Sequence, residues 1–425
     1  MLNETFELRG TGYSSAADCS TAARHRWYVI KEGFSPEVFK SAAERVDLSK
    51  QDSVLDPFCG SGTVPLTASL QGHKAYGIEV NPFLEFVSRT KLTHCRPQTV
   101  RNYLTGILQG LRNGAISPLE TYSTFSKTAK SSKWLFNRPV LRSFEGGWRA
   151  TEQIPGQSRS LLRLALLGAA MDNCNAVADG KCLRYRKGWQ GSDFGKKNFD
   201  ESFQARVDTI CTDLEESRIR NDGSAIFGGD ARKLMTSEWR RFKLCVTSPP
   251  YLNSFDYSDI YRPELFLGKF VNSNAELALI RKSTIRSHVQ TGWELPDRSS
   301  FGPIFANVIM EIKARSMDLW DRRIPTMIQA YFEDMERILL RLRQLALTEA
   351  EVWIVVATSA YAGVEVPVDF IIAEIAERSG WFLSEVGVVR HLRSSGQHIN
   401  TLGDGIKRTL HLRESVVILR TSRHR

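Results

Sequence analysis

The sequence predicts an α/β protein built as a doubly wound sheet, and three observations lead there. SVLDPF, CGSGT, VPLTASLQG and KAYGIEV follow one another over residues 53–80 as strand, glycine turn, helix and strand. Short apolar, β-branched runs return at KLCVT (243–247), EVWIVVA (351–357), WFLSEVGVV (381–389) and ESVVIL (414–419). Helical stretches separate these runs, so the last third alternates the two element types as a sheet covered on both faces requires.

Taken in order, residues 1–24 are small and polar, which predicts a loose leader, with order beginning near His25. Ser35 and Pro36 have the cap and first-turn chemistry of a helix start, and Val38, Phe39, Ala42 and Val46 then share one helical face. The helix after the glycine turn stops at Gly72. Residues 101–225 break the rhythm: they are rich in Ser, Arg, Trp and Gly, with one apolar helix (SLLRLALLGAAM, 160–171) and a basic-aromatic run, LRYRKGW (183–189). MIQAYFEDMERILLRLRQL (327–345) reads as a helix before the 351–357 strand, and VDFIIAEIAER (368–378) as one stopped by Gly380. The simplest architecture is one domain made from residues 25–100 and 226–425, with 101–225 inserted between its halves.

Composition bounds what such a chain does. With 425 residues, 42% of them hydrophobic and 24% charged, it is neither a disordered chain nor an integral membrane protein. No run reaches the roughly 18 apolar residues of a membrane helix. MLNETFELRG lacks the pattern of a secretory signal, so a cytoplasmic location and no membrane partner are expected. Seven cysteines without a CxxC pair predict reduced thiols and no metal cluster. Lys and Arg total 57 against 47 Asp and Glu, and the excess is concentrated: residues 101–200 hold 16 basic and 7 acidic side chains. A basic region of that density suits a polyanion.

Three motifs carry chemistry. Asp56-Pro57-Phe58-Cys59-Gly60-Ser61-Gly62-Thr63 sits where a strand hands over to a helix, and its glycines let the backbone approach a ligand beside free helix N–H groups. Glu79 ends the next strand, where a carboxylate accepts hydrogen bonds from ribose hydroxyls. The loop lacks the third glycine of dinucleotide sites and the Lys-Ser/Thr of phosphate loops, which disfavours NAD and ATP. Thr247-Ser248-Pro249-Pro250-Tyr251 follows the strand KLCV. Its prolines hold the chain extended, so that the Ser248 and Pro249 carbonyls can grip an amino group while Tyr251 offers a face for a base. Gly229-Asp230-Ala231 follows the short apolar AIF, and an acid there can accept the amine of an adenine.

Together these residues resemble the S-adenosylmethionine-dependent DNA amino-methyltransferases, with their DPFxGSGT cofactor loop and [SDN]PPY catalytic tetrapeptide. The resemblance spans residues 25–100 and 226–425. It implies a seven-stranded Rossmann-like sheet and S-adenosyl-L-methionine as cofactor. HRWYVIKEGFSPEVF (25–39), with Phe34 and Ser35, corresponds to the segment over the cofactor's methionine end. Asp56, Pro57, Phe58, Gly60, Gly62 and Thr63 would hold that end too, Glu79, Val80 and Asn81 the ribose, and Asp230 and Ala231 the adenine. Ser248, Pro249, Pro250 and Tyr251 would be the catalytic residues. Serine in the first tetrapeptide position is typical of enzymes acting on N4 of cytosine, and aspartate is commoner in those acting on N6 of adenine. The implied role is methylation of an exocyclic amine at specific sites in double-stranded DNA, in restriction–modification or phage defence, with a cognate endonuclease or defence proteins as companions.

Methylation at C5 of cytosine needs a thiolate, conventionally from a Pro-Cys dipeptide, and no cysteine here follows a proline. An amine inside a duplex cannot reach such a pocket, so the base must be flipped. Some transfer-RNA base methyltransferases have a similar cofactor loop, but they usually carry Asp before Pro-Pro and an N-terminal RNA-binding module for which 24 leading residues leave no room. For target recognition the insertion leads: Lys133, Trp134, Arg138, Arg142, Trp148, Arg149, Arg184, Tyr185, Arg186, Lys187 and Trp189 suit phosphate contact and base reading, with Lys133, Arg138, Arg184, Arg186 and Lys187 the expected nucleic-acid contacts. The rival location is 252–325, where RKSTIRSH (281–288) and Arg322-Arg323 are also basic.

Overall fold

The computed structural model describes residues 2–6, 16–30, 32–128, 132–179, 182–233, 240–392 and 410–423. Its main sheet runs in the order β1 (Leu2–Asn3), β11 (Phe382–His391), β12 (Arg413–Arg420), β8 (Ala346–Ala357), β7 (Phe242–Thr247), β2 (Ser53–Asp56), β3 (Lys74–Glu79), β6 (Ala225–Gly228). Two small ribbons stand apart, β4 (Ala176–Ala178) with β5 (Leu183–Tyr185), and β9 (Ser359–Tyr361) with β10 (Val364–Val366). From β6 to β8 the strands are parallel, and β12 is antiparallel to both β8 and β11. Seven strands make the doubly wound sheet, and β1 adds a two-residue edge. The chain winds from β2 through β3 to β6, then returns to β7 on the other side of β2. The order therefore reverses at the β2/β7 boundary, where the carboxyl ends of the two strands open a crevice.

Both faces of this sheet are buried, and the residue alternation shows it. Val54, Leu244, Val246, Trp353, Val355, Val416 and Ile418 point to one face, under α1 (Pro36–Val46) and α2 (Thr63–Gln71). Their neighbours Leu55, Cys245, Val352, Ile354, Val356, Val417 and Leu419 point to the other, under α12 (Pro303–Ala314), α13 (Ile324–Leu345) and α14 (Val368–Arg378). A strand with two apolar faces reads as an unbroken apolar run, which is why these were visible in the sequence. At the start of α1 the Ser35 hydroxyl accepts from the Glu37 N–H, and all four residues expected on its inner face are buried.

The segment 101–225 is more helical than its composition suggested. Following α3 (Pro82–Lys91), it folds as α4 (Pro97–Asn102), α5 (Leu104–Asn113), α6 (Arg138–Ala150), α7 (Gly156–Asp172) and α8 (Lys196–Glu216). Its own apolar core includes Phe144, Leu164 and Phe203, and packs on Phe83 and Val87 of α3 and on Leu265 and Phe266. The last two belong to α10 (Arg262–Leu267), which lies between α9 (Tyr257–Ile260) and α11 (Asn274–Ser283). Trp148 and Trp189 are buried in the packing and not displayed.

The expectation of a loose leader is corrected over its described residues. Leu2 and Asn3 pair with Val386 and Gly387, and Ala16 and Cys19 are buried in a 3-10 turn, Ala16–Ser20. A buried acid anchors the stretch from Arg24 to Trp27: Asp213 of α8 accepts from the Arg24 N–H at 2.7 Å and from Trp27 Nε1 at 2.9 Å, and pairs with Arg26. The Arg24 guanidinium donates in turn to the carbonyls of Lys91, Thr93 and Ser217. Small polar residues read as flexible because nothing local holds them; here distant partners do.

Candidate active site

At the switch point the Thr247 hydroxyl donates to Asp56 Oδ1 across 2.7 Å and ties β7 to β2 just where both strands end. Asp56 also accepts from the Phe58 N–H, while its buried Oδ2 has no partner, and burial pushes its pKa up to about 7. The chain then turns through Gly60 and Gly62, both left-handed. A Cβ on Gly62 would come within 3.0 Å of Ser88 Cβ on α3, so both backbone angle and space demand glycine there. Ser88 fastens the loop from the same side, donating to the Gly60 carbonyl at 2.6 Å.

Glu79 closes the loop from the adjacent strand. One carboxylate oxygen accepts from the Gly60 N–H at 2.9 Å and the other from the Asn81 N–H at 2.8 Å. Burial raises its pKa to about 7, against the opposing pull of those backbone donors. Each oxygen retains lone pairs beyond the one it uses, so the carboxylate can still accept two hydroxyls.

Above the crevice lies a cavity of about 270 Å³. Phe34, Pro57, Phe58, Gly60, Thr63, Glu79, Val80, Asn81, Asp230 and Ala231 line it, and so do Ser248, Pro249, Pro250 and Tyr251. Two motifs far apart in the chain thus share one concavity. Three expected cofactor residues stand outside its lining. Ser35 is consumed in capping α1 and donates to Asp18; Asp56 lies beneath, joining the strands; Gly62 is the hinge. The Asn81 side chain, though at the lining, accepts from Phe83 N–H as the cap of α3. Asp230 is engaged by Arg232, whose Nε and Nη2 bind its two oxygens at 2.9 and 2.8 Å, so any amine donating to it shares the carboxylate with a guanidinium.

On the catalytic loop the Ser248 hydroxyl donates to the Val355 carbonyl at 3.2 Å, which leaves its oxygen an acceptor. The Tyr251 hydroxyl donates to Glu414 Oε1 at 2.6 Å, and Arg390 holds the same carboxylate at 2.9 Å. Burial next to Glu414 keeps the phenol well above its ordinary pKa, so the hydroxyl remains a donor. Sequence reasoning missed Glu414 and Arg390, which line the cavity, because Glu414 reads as the polar start of a closing strand. It missed Glu32, Tyr257 and Tyr261 as well; Tyr261 donates to Glu32 at 2.6 Å on the far wall. The aromatic spacing around 257–261 was the available signal.

The basic residues of the insertion fare unequally. Arg186 donates to the Cys174 and Asp172 carbonyls and lies over Phe194, so it is a structural tie and not a free cation. Arg142 pairs with Glu120, and Arg149 with Glu145. Arg184, exposed, pairs with Asp179, Lys133 lies over Tyr185, and Arg138 reaches the Lys127 carbonyl; Lys187 is exposed. Among the described residues no cluster of metal-ligating side chains occurs, and no helix is long and apolar enough to cross a membrane.

The cavity fits S-adenosylmethionine: a glycine cradle, a carboxylate with spare acceptor capacity and an apolar rim stand in sequence along one wall. A family model described as UPF0020, RMKL-like, methyltransferase domain, matches residues 40–123. Among curated proteins, the chain is similar to Type II methyltransferase M.BsoBI of Geobacillus stearothermophilus, 26% identical over 426 residues that cover 89% of this chain and 82% of that one. It is similar also to Type II methyltransferase M.AvaI of Anabaena variabilis, at 24% identity with 89% and 84% covered. Among solved structures, the rRNA methyltransferase aviRa from Streptomyces viridochromogenes aligns at a TM-score of 0.33 and 10% identity, over 98% of this chain and 97% of that one; a likeness at that level adds nothing to the topology already described. With the two motifs meeting at the switch point, these matches support a likeness to S-adenosylmethionine-dependent DNA methyltransferases.

Proposed function

We propose that this protein is a site-specific DNA methyltransferase of a restriction–modification or related defence system, acting on the exocyclic amine of a flipped base, N4 of cytosine. The observation that carries the reading is the convergence of the DPFCGSGT loop and the Ser-Pro-Pro-Tyr segment on one cavity. Similarity to Type II methyltransferases along most of both chains supports the biological setting, and Ser248 in the first motif position supports cytosine.

S-adenosylmethionine supplies an electrophilic methyl on a sulfonium. Pro57–Ser61, Thr63, Glu79 and Asp230–Ala231 would hold and orient it, with Asp56 and Gly62 shaping the loop from behind. The Ser248 oxygen and the Ser248 and Pro249 carbonyls would accept one N–H of the target amine, aiming the nitrogen lone pair along the line of transfer. The N–CH3 bond forms as the S–CH3 bond breaks to leave a thioether, and the nitrogen's surplus proton passes by these oxygens to solvent. Tyr251, its ring fixed by Glu414, stacks on the base and offsets part of the few kcal/mol that flipping costs. A thiolate has no part in this scheme. Cys59, which lines the cavity, has its thiol held well above the ordinary pKa by burial and by Glu79 and Asp56, and Cys245 is likewise raised.

Methylation of a random-sequence duplex library with labelled cofactor, followed by mass spectrometry of the nucleosides, tests the reading. N4-methylcytosine is expected. N6-methyladenine would move the target base within the same mechanism, and 5-methylcytosine or unmodified DNA would overturn it.

A further inference from the structure

The strip RKSTIRSH (281–288) is basic in sequence, yet both of its arginines are held by acids, and Lys282 is its one exposed charge. Arg281 pairs with Asp256 at 2.7 Å. Arg286, only 6% exposed, binds Glu333 and Asp334 of α13 at 2.6 Å each. What the strip presents instead is a wall of the cavity. At one end the Ser283 carbonyl accepts from Arg232, the residue that holds Asp230. At the other the Ser287 carbonyl accepts from the Ser254 N–H, three residues past Tyr251. The strip therefore runs from the expected adenine end of the cofactor to the catalytic loop.

Two polar atoms at its catalytic end are left over. Ser287 Oγ and His288 Nδ1 are buried without a hydrogen-bond partner, in residues 1% and 2% exposed that both line the cavity. Orphaned buried polar groups cost about 1–3 kcal/mol each unless something satisfies them. Burial lowers the His288 pKa and so favours the neutral ring, whose unpartnered Nδ1 is available as an acceptor.

We propose that Ser287 and His288 read the edge of the flipped base, Nδ1 accepting from the exocyclic amine and the Ser287 hydroxyl donating to the adjacent ring nitrogen. An acceptor beside a donor complements the N4–H and N3 edge of cytosine, or the N6–H and N1 edge of adenine. It opposes thymine and guanine, which present a carbonyl beside a ring N–H. The pair thus selects bases that own an amine to methylate, while Ser248 and Pro249 aim that amine. Both are positioning residues for the reaction proposed above, and the inference rests on that reading.

The test uses the recognition duplex obtained from the library, with the target base placed opposite an abasic site so that flipping costs little. Wild type is expected to bind unpaired cytosine on the order of tenfold more tightly than unpaired uracil, or adenine than hypoxanthine if adenine is the target. Ser287→Ala and His288→Phe should bring that ratio near unity with affinity for a target-less abasic duplex unchanged. His288→Asn, whose Oδ1 can stand in for Nδ1, should restore part of it. Binding of S-adenosylhomocysteine reports folding; if His288→Phe fails that control, Ser287→Ala decides. A preference undiminished in Ser287→Ala overturns the assignment. Failure of the wild type to methylate any library duplex refutes the underlying function instead, and does so before any variant is made.

Discussion

Glu79 carries the sharpest expectation for cofactor binding. Its two oxygens take one backbone N–H each from Gly60 and Asn81 and face the cavity with their remaining lone pairs. Two ribose hydroxyls can donate there, and a hydrogen bond to a charged group contributes about 1.5–3 kcal/mol. Glu79→Ala removes both acceptors at once and releases the clamp on the loop. Affinity for S-adenosylmethionine should fall by about two to four orders of magnitude, at about 1.4 kcal/mol per tenfold. The pH dependence has a definite sign. Hydroxyl donors favour the ionised carboxylate, and burial raises the free protein's Glu79 to about 7, so binding must pull that pKa down. Affinity should then rise as pH increases from about 6 to 8 and level off above. Asp56 titrates in the same range but does not line the cavity, so Asp56→Asn should retain most of the slope whereas Glu79→Gln should flatten it. Isothermal titration across that range is the assay. Unchanged affinity in Glu79→Ala, or a slope that survives Glu79→Gln, would refute the ribose assignment.

Other side chains give expectations of their own. Glu264, raised to about 7 by burial, favours the folded state most when protonated; its stabilising contribution is full below about 4.5 and disappears as pH rises through 7, so Glu264→Gln should reduce the alkaline fall of Tm in the cofactor-free protein, and an unchanged profile would contradict it. Tyr251→Ala should lose turnover through base positioning, stacking being worth roughly 1–3 kcal/mol per base, with cofactor affinity retained; Tyr251→Phe keeps the ring and isolates the loss of the Glu414 hydrogen bond, so equal kinetics for the two variants would argue against stacking. Neutralising Lys133, Arg184 and Lys187 together should flatten the salt dependence of DNA binding by up to about 0.9 log units per lost phosphate contact, whereas Arg186→Ala should lower stability instead, since its guanidinium serves the Cys174 and Asp172 carbonyls; a salt slope altered only by Arg186→Ala would invert that assignment.

What the sequence disclosed and what it hid divide along physical lines. The sheet was legible because strands buried on both faces are continuous apolar runs, and the cofactor loop because Gly60 and Gly62 occupy backbone conformations few other residues adopt. The Ser-Pro-Pro-Tyr segment was legible by its rigid composition. Hidden were side chains whose role depends on distant partners: Glu414 under Tyr251, Asp213 under the leader, and Arg286, a charge that sequence reasoning places at the surface and the fold buries against two acids. Ser35 was expected both to cap a helix and to lie over the cofactor; it caps α1 and stands outside the cavity lining, a distinction that the letters Ser-Pro do not carry. Charge density in 101–225 likewise counted arginines without showing which were already neutralised.

Arg232 has a consequence beyond holding Asp230. The same guanidinium reaches Asp334 at 3.1 Å and the Ser283 carbonyl at 3.1 Å, so one planar group joins the cofactor side of the cavity, the long helix behind it and the strip that faces the catalytic loop. A ligand that draws on Asp230 competes with Arg232 and redistributes those bonds. Such an exchange predicts that the two halves of the cavity are coupled, and whatever free energy the first occupant contributes to the second's affinity, the second must return to the first in equal measure. Arg232→Lys, a point charge that cannot span three acceptors, is therefore expected to weaken any such coupling, read as the change in cofactor affinity on adding duplex.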